Sequence, residues 1–325
     1  MIDAGTLAAW LEIACLAPSP HNNQPWTARL RPDGVLVGLD PRLLPPLGPD
    51  RVQFMALGAF IENMSYAAAA AGYELTVGEL PTVPHRATEI TVRFHAGAEP
   101  GGGAAIMLDG ARRRRTNRGP YQPTLPPGVI EELRAVPGEP ATSVTLLAGP
   151  ADRSVAADLA ARAMRVFFSV PELRRDLAPF VFTGADTPRS TGMPIESLNR
   201  AAPAGVTGRR WALELADAEE EAQAARARYD RAPLHFVVSS ETDTLPGWIA
   251  GGRTLQRVLV TATVLGLGHC LAAGPSEIPT LLPALRRLAG ADTGRPLILG
   301  RLGVPADTAQ SIAAPRRPVA DILTG

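Results

Sequence analysis

The chain has 325 residues, 46% of them hydrophobic, and its 32 Lys plus Arg are balanced by 32 Asp plus Glu. That length and apolar share allow a large buried core in one or two domains, and zero net charge gives no global field toward nucleic acid or an anionic membrane. Cys15 and Cys270 form neither a disulfide framework nor a zinc pattern, no basic n-region precedes an apolar run, and no apolar stretch reaches membrane-spanning length. These features predict a cytoplasmic globular protein that acts on a small molecule.

In chain order, residues 2–17 carry Leu7, Trp10, Leu11, Ala14 and Cys15 at helical spacing, and Pro18 ends that pattern. Residues 27–30 and 35–39 read as a hairpin, 51–72 as a strong helix and 89–94 as a strand. Gly101-Gly102-Gly103 breaks the pattern, and a boundary between there and about residue 111 separates an N-terminal half, 1–110, from a C-terminal half, 111–325. Beyond it come a short helix at 129–135, a strand at 143–148 and an alanine-rich helix at 151–170. Residues 183–209 show little periodicity, as expected of a lid, a binding segment or a disordered loop. Helices are expected over 211–231 and 254–267, and strands over 234–239 and 296–304. Gly58 to Gly72 and Gly252 to Gly266 have equal spacing, each an apolar helix with a strand-like exit, which suggests an internal repeat.

Two stretches concentrate polar chemistry. In Ala17-Pro18-Ser19-Pro20-His21-Asn22-Asn23-Gln24-Pro25-Trp26 the prolines stiffen a loop whose Ser19, Asn22 and Gln24 offer hydroxyl and amide groups to a flat, heteroatom-edged ligand. The other reading is a helix-ending turn with a buried Trp26. In Arg112-Arg113-Arg114-Arg115-Thr116-Asn117-Arg118 successive cations repel one another unless an anion neutralises them, and the planar guanidinium fork matches phosphate oxygens. A solvated basic turn, or one used on nucleic acid, is the alternative; no aromatic residues interleave to support nucleic acid. There is no G-x-G-x-x-G turn between a strand and a helix, no G-x-S-x-G elbow, and no metal-ligand spacing among the histidines. His21 is a candidate proton donor or a plain turn histidine; no catalytic residue is assigned.

The loop resembles the P-S-x-x-N-x-Q-P-W segment of the FMN-dependent nitroreductase superfamily, and Arg-Arg-Thr-Asn-Arg-Gly-Pro-Tyr is similar to that family's R-x-S-x-R segment. The resemblance implies that Pro18, Ser19, Asn22 and Gln24 lie against the flavin ring. It implies further that Arg114 contacts the FMN phosphate, that Thr116 bonds the flavin tail or pyrimidine edge, and that Arg118, with Arg115 in the same region, stabilises charge near N1/O2. Leu245-Pro246-Gly247-Trp248 resembles the glycine-aromatic turn whose amides approach flavin N5, so Gly247 is carried over; many members have an acidic residue where Pro246 stands. Arg316 or Arg317 would complete the phosphate site.

The uneven distribution of these matches is similar to the fused, pseudo-dimeric Acg-like branch. It implies an α+β nitroreductase-like fold of two copies, a shortened N-terminal one and a full C-terminal one, around mixed or antiparallel sheets, with one FMN per monomeric chain; self-association stays open. The implied activity passes electrons from NAD(P)H, stacked directly on the flavin, to a small nitroaromatic, quinone-like or unsaturated acceptor. The alternatives are an FMN-dependent dehydrogenase or oxidase in a biosynthetic pathway, and a flavin-sequestering protein whose 183–209 insertion closes the ring off.

Overall fold

The computed structural model describes residues 2–46, 50–83, 85–97, 101–290, 292–306 and 312–324. Helix α1 (Ala4–Ala14) begins where the Asp3 carboxylate accepts from the Thr6 N–H, and it ends short of the expected residue 17 because Leu16 and Ala17 fold back as a turn onto the Ile13 and Ala14 carbonyls. Strands β1 (Trp26–Arg31) and β2 (Gly34–Leu39) form a tight hairpin with Trp26 opposite Leu39. Helix α2 (Arg51–Ala70) follows, then β3 (Tyr73–Val77) and β4 (Ile90–Ala96), which close a four-stranded antiparallel sheet in the order β1-β2-β4-β3.

The triple glycine does not break the chain as expected. Gly102 and Gly103 lie in the first turn of helix α3 (Gly102–Arg113), which runs through residues 110 and 111. Nothing lies within 4 Å of a Cβ built at either glycine, so only their intrinsic propensity opposes the helix. Helix α4 (Val129–Arg134) and strand β5 (Thr142–Leu147) come next. A helical insertion then carries α5 (Pro150–Ser169), α6 (Pro171–Leu177), the two-residue strands β6 (Val181–Phe182) and β7 (Met193–Pro194), α7 (Gly208–Arg210), a π turn at Trp211–Leu215, and α8 (Ala218–Asp230). The single helix expected over 211–231 is split because Asp217 caps a fresh start, accepting from the Glu219 and Glu220 N–H groups.

Strand β8 (Leu234–Ser240), helix α9 (Leu245–Val264), strand β9 (Gly268–Ala272), helices α10 (Gly274–Glu277) and α11 (Leu282–Ala289), strand β10 (Arg295–Gly303) and helix α12 (Val319–Ile322) complete the chain. The second sheet has the order β5-β8-β10-β9, again antiparallel throughout. Helix α9 starts nine residues before the expected Thr254, with Pro246 in its first turn, where a missing N–H breaks no helical bond. Gly247 therefore sits in a helix rather than in a turn, packed against Ser240 and Thr242.

Both sheets thus share one order of elements: two strands, a 20-residue helix, two more strands. In the first unit the opening strands join by a tight hairpin, whereas in the second the whole helical insertion lies between β5 and β8, which still pair with Thr142 opposite Ser240. Helices α2 and α9 cross at Gly58 and Gly252, and the contact is reciprocal: a Cβ at Gly58 would strike the Ile249 carbonyl, and one at Gly252 would strike the Met55 carbonyl. One turn on, Arg257 pairs with Glu62 and Gln256 Nε2 donates to Asn63 Oδ1, exchanging the same two positions between the helices. The first sheet, α1 and α2 enclose one core around Trp26, Phe54 and Phe60. The second sheet is covered on both faces, by α4 and α9 around Phe236 and Leu259 and by α5, α8 and α11 around Val237 and Leu285, so its central strand β8 is buried throughout.

Candidate functional site

The loop after α1 holds three non-glycine residues in the left-handed region, His21 (φ 50), Asn22 (φ 54) and Gln24 (φ 51). Such strain persists only where surrounding contacts over-determine it, and it concentrates at functional sites. Those contacts are present. Ser19 Oγ accepts from the Gln24 N–H at 2.9 Å. Asn22 Nδ2 donates to the Gly192 and Pro315 carbonyls, and the Asn22 carbonyl accepts from the Gly192 N–H. Gln24 Nε2 donates to the Ser190 carbonyl at 2.8 Å, and its Oε1 accepts from the Arg317 N–H. Of the side-chain groups read from sequence as facing a ligand, Ser19 is therefore engaged within the loop, and Asn22 and Gln24 with the insertion and the C-terminal segment. Pro18 stands at the entrance of this loop, half-buried.

The arginine run is split by the end of α3. Arg113 is still helical and pairs with Asp109 on the surface, while Arg114, the C-cap, takes ψ 125. The chain turns there and the Arg114 side chain enters the interior, 1% exposed. Its Nη2 donates to the Leu16 carbonyl at 2.8 Å, its Nη1 faces His269 Nε2 at 3.4 Å, and its Nε has no partner among the described residues. Arg316 reaches the same place from the C-terminal segment: its Nη1 donates to Asn22 Oδ1 at 2.7 Å, its Nη2 to Leu16 O at 3.4 Å, and its buried Nε is also without a partner. Arg115 caps the α3 carboxyl end through the Arg112 and Arg114 carbonyls and adds its charge to this group.

Among the described residues, none of Arg114, Arg115, Arg118 and Arg316 pairs with a carboxylate. Burial, with the charges of Arg316 and Arg115, pushes the Arg114 guanidinium down to about 9; burial and Arg115 push Arg316 down to about 10. Arg317 is differently occupied. It donates to the Gln24, Trp26 and Asp321 carbonyls and lies 3.7 Å from Asp40, so it clamps the C-terminus rather than joining the unneutralised group.

Arg118 extends toward the insertion, with Nη1 on the Ser197 carbonyl and Nη2 on Met193 Sδ, both at 3.3 Å. Thr116 forms a bridge with His269, whose carbonyl accepts from the Asn117 N–H. His21 faces Phe167 and Phe180 at ring distances of 5.8 and 6.4 Å. Burial, helped by the Arg118 charge, pushes its imidazole down to about 4, which favours the neutral ring at pH 7. Gly247 and its first-turn neighbours belong to another cluster, in which Trp248 Nε1 donates to Asp243, and Asp243 and Glu277 pair with Arg51. No group of three His, Cys, Asp or Glu side chains among the described residues could hold a metal ion, and no described helix is long and apolar enough to cross a membrane.

No protein-family model matches the chain. Full-length likeness is found to two Mycobacterium tuberculosis (strain H37Rv) proteins. Putative NAD(P)H nitroreductase Rv3131 is 26% identical over 99% of this chain and 92% of that protein. Putative NAD(P)H nitroreductase acg is 26% identical over 99% of this chain and 96% of that protein. The chain is thus similar over its whole length to these two Acg-type proteins. Partial structural likeness extends to the FMN-dependent nitroreductase NfnB from Mycobacterium smegmatis in complex with NADPH, with a TM-score of 0.41 and 18% identity over 66% of this chain and 97% of that one. It extends also to an iodotyrosine deiodinase bound to FMN and 3-iodo-L-tyrosine, with a TM-score of 0.39 and 14% identity over 62% of this chain and 90% of that one.

The fold brings together Pro18, Ser19, Asn22, Gln24, Arg114, Arg115 and Arg316. Thr116 and Arg118 flank them, Arg317 braces them from behind, and Gly247 lies in a separate cluster. Sequence reasoning missed the Leu16 carbonyl on which two guanidinium groups converge, and it missed His269. A backbone acceptor leaves no mark in sequence. His269 stands just beyond the Gly266-Leu267-Gly268 turn, already singled out as a repeat exit, and that position was the only available signal.

Proposed function

We propose that the chain is an FMN-dependent oxidoreductase of the nitroreductase type, with one cofactor site assembled from its opening loop, the turn after α3 and the C-terminal segment. The observation that carries this reading is the set of buried guanidinium groups at Arg114 and Arg316, with Arg115 beside them, each lacking a carboxylate and two of them with an unpartnered Nε. Burying such charges without neutralisation is strongly unfavourable, and a phosphate monoester supplies both the charge and the acceptor oxygens. The residues present therefore fit FMN. The reciprocal Gly58–Gly252 crossing and the repeated order of elements support the reading of the chain as two fused copies divided near residue 110.

When bound, FMN supplies the hydride and electron transfer, with NAD(P)H as reductant and a small nitroaromatic, quinone-like or unsaturated compound as acceptor. The protein's part follows from its own groups. Arg114 and Arg316 would hold the phosphate, Arg115 would add charge beside it, and Arg118 would supply a cation on the side of the insertion. The positive-φ loop, fixed by Ser19 and Arg317, keeps Pro18 to Gln24 in one shape and would present that face to the flavin. The insertion, bonded to Asn22 and Gln24, excludes water from the site. The residues described are consistent with action on a soluble small molecule.

A second reading, a flavin store with little turnover, rests on the insertion being bonded to the loop from both sides, through Gly192 N–H to Asn22 O and Asn22 Nδ2 to Gly192 O. An absorption spectrum of the purified protein tests the cofactor, and absence of a flavin band after reconstitution with FMN would refute both readings. Anaerobic addition of NADH or NADPH then separates them: rapid bleaching supports the oxidoreductase, and an unresponsive spectrum with tightly bound FMN supports storage.

A further inference from the structure

His269 is fully buried on β9, outside any metal cluster, and the proposed chemistry does not use it. Its Nε2 lies 3.4 Å from Arg114 Nη1. A guanidinium has only donors, so this imidazole nitrogen must accept, and the ring proton resides on Nδ1, which has no partner among the described residues. Burying an arginine usually calls for a carboxylate to orient it. Here a neutral ring takes that place.

We propose that His269 is a positioning residue that orients Arg114 without neutralising it, so that the full positive charge of Arg114 stays available to a bound phosphate monoester. The proposal rests on the cofactor reading given above for the same site. Three further observations support it. Among the described residues Arg114 has one other acceptor, the Leu16 carbonyl, which it shares with Arg316. The backbone of His269 is tied to the arginine turn through the Asn117 N–H and the bridge to Thr116, so the ring is held in register with Arg114. Burial, then the charges of Arg114 and Arg118, drive the imidazole far below its ordinary value, so that it never competes as a cation. A carboxylate at 269 would attract Arg114 more strongly and cancel the charge the ligand needs; a neutral acceptor keeps the geometry and the charge together.

The test compares FMN with riboflavin, which lacks the phosphate, by flavin fluorescence titration of the apo protein and its variants. His269→Gln retains a neutral acceptor and is expected to keep the wild-type preference for FMN over riboflavin. His269→Asp is expected to reduce that preference by about tenfold or more, the size of one charge-assisted hydrogen bond, while riboflavin affinity stays level. His269→Leu, which removes the acceptor and adds no charge, provides a second reading should the aspartate variant not fold, with a smaller loss in the same direction. The same series is read by thermal shift with inorganic phosphate. Failure of the wild type to bind either flavin would sink the cofactor reading, yet phosphate stabilisation that falls from wild type to H269D would still uphold the positioning role. Equal FMN-to-riboflavin ratios and equal phosphate shifts across all variants would overturn it.

Discussion

Arg114→Met separates a guanidinium kept for a ligand from one that merely supports the fold, because the two roles predict opposite signs. The substitution preserves an unbranched side chain in a site that is 1% exposed. Holding Arg114 at about 9 rather than the ordinary 12.5 corresponds to roughly 5 kcal/mol against the charged form in the ligand-free fold. Removing the charge releases that penalty. It also removes the donor to His269 Nε2, at about 1–3 kcal/mol, whereas Leu16 O keeps the Arg316 donor at 3.4 Å. The net expectation is stabilisation of the apo protein by about 2 kcal/mol, or a melting temperature roughly 3 °C higher for a chain of this length.

Binding should move the other way. Losing one charge-assisted contact to phosphate weakens FMN by about 1.5–3 kcal/mol, roughly 10- to 150-fold. Calorimetry of the apo protein gives the first quantity and fluorescence titration the second. A lower melting temperature combined with unchanged FMN affinity would refute the assignment and make Arg114 a structural residue.

The double variant Arg114→Ala with Arg316→Ala should lose more FMN than either single change, and retention at the wild-type level after gel filtration would mean that the phosphate site is misplaced. Gly252→Ala should destabilise by about 1–3 kcal/mol despite its better helix propensity, since the added methyl collides with the Met55 carbonyl at the α2–α9 crossing; denaturant unfolding measures it, with Gly266→Ala, set in open space but at φ 78, as a comparison for backbone strain alone. Gln24→Ala removes the bonds to the Ser190 carbonyl and the Arg317 N–H, and should raise hydrogen exchange at residues 190–194 and 316–318 together.

The fold was most legible where one periodicity ruled. Helices α2 and α5 and strands β2, β4, β8 and β10 lie within a residue or two of the expected bounds because each is an apolar run of one type ended by turn residues, although β8 and most of β10 and α2 are buried on every side. The failures have local causes. Gly102 and Gly103 look like breakers, yet they sit in open space, where a glycine opposes a helix only weakly. Pro246 looks like the end of a loop, but it belongs to the first helical turn, where proline is well accommodated. Trp211 to Arg231 lost its continuity to one aspartate cap at Asp217.

For the site, the arginines and the asparagine-glutamine loop were conspicuous as residue types. Their roles were not, because Arg316 and Arg317 are neighbours in sequence and differ only in what the fold brings to them. Arg316 meets other arginines, and Arg317 meets carbonyls and Asp40.

The buried histidines make the acid limit of the fold a last quantitative check. His21 and His235 are held down to about 4, and His269 further below its ordinary 6.5, chiefly by burial. A base whose folded value is depressed stays neutral in the native state while the unfolded chain takes up its proton, so stability falls as pH drops below about 6.5. For His21 and His235 the fall runs down to about 4, at up to ~1.4 kcal/mol per pH unit for each group; for His269 it continues lower. Unfolding free energy measured from pH 7 to 4 should therefore decline most steeply near pH 5, where the histidine contribution to the slope approaches three protons. His235→Phe should lower that slope near pH 5 by close to one proton without touching Arg114 or Arg316, since among the described residues His235 bonds to the Tyr229 carbonyl and stacks on the Tyr229 ring. A variant with the wild-type slope would mean that His235 is already protonated in the native state, and that burial in the second sheet does not exclude charge as strongly as the site's logic requires.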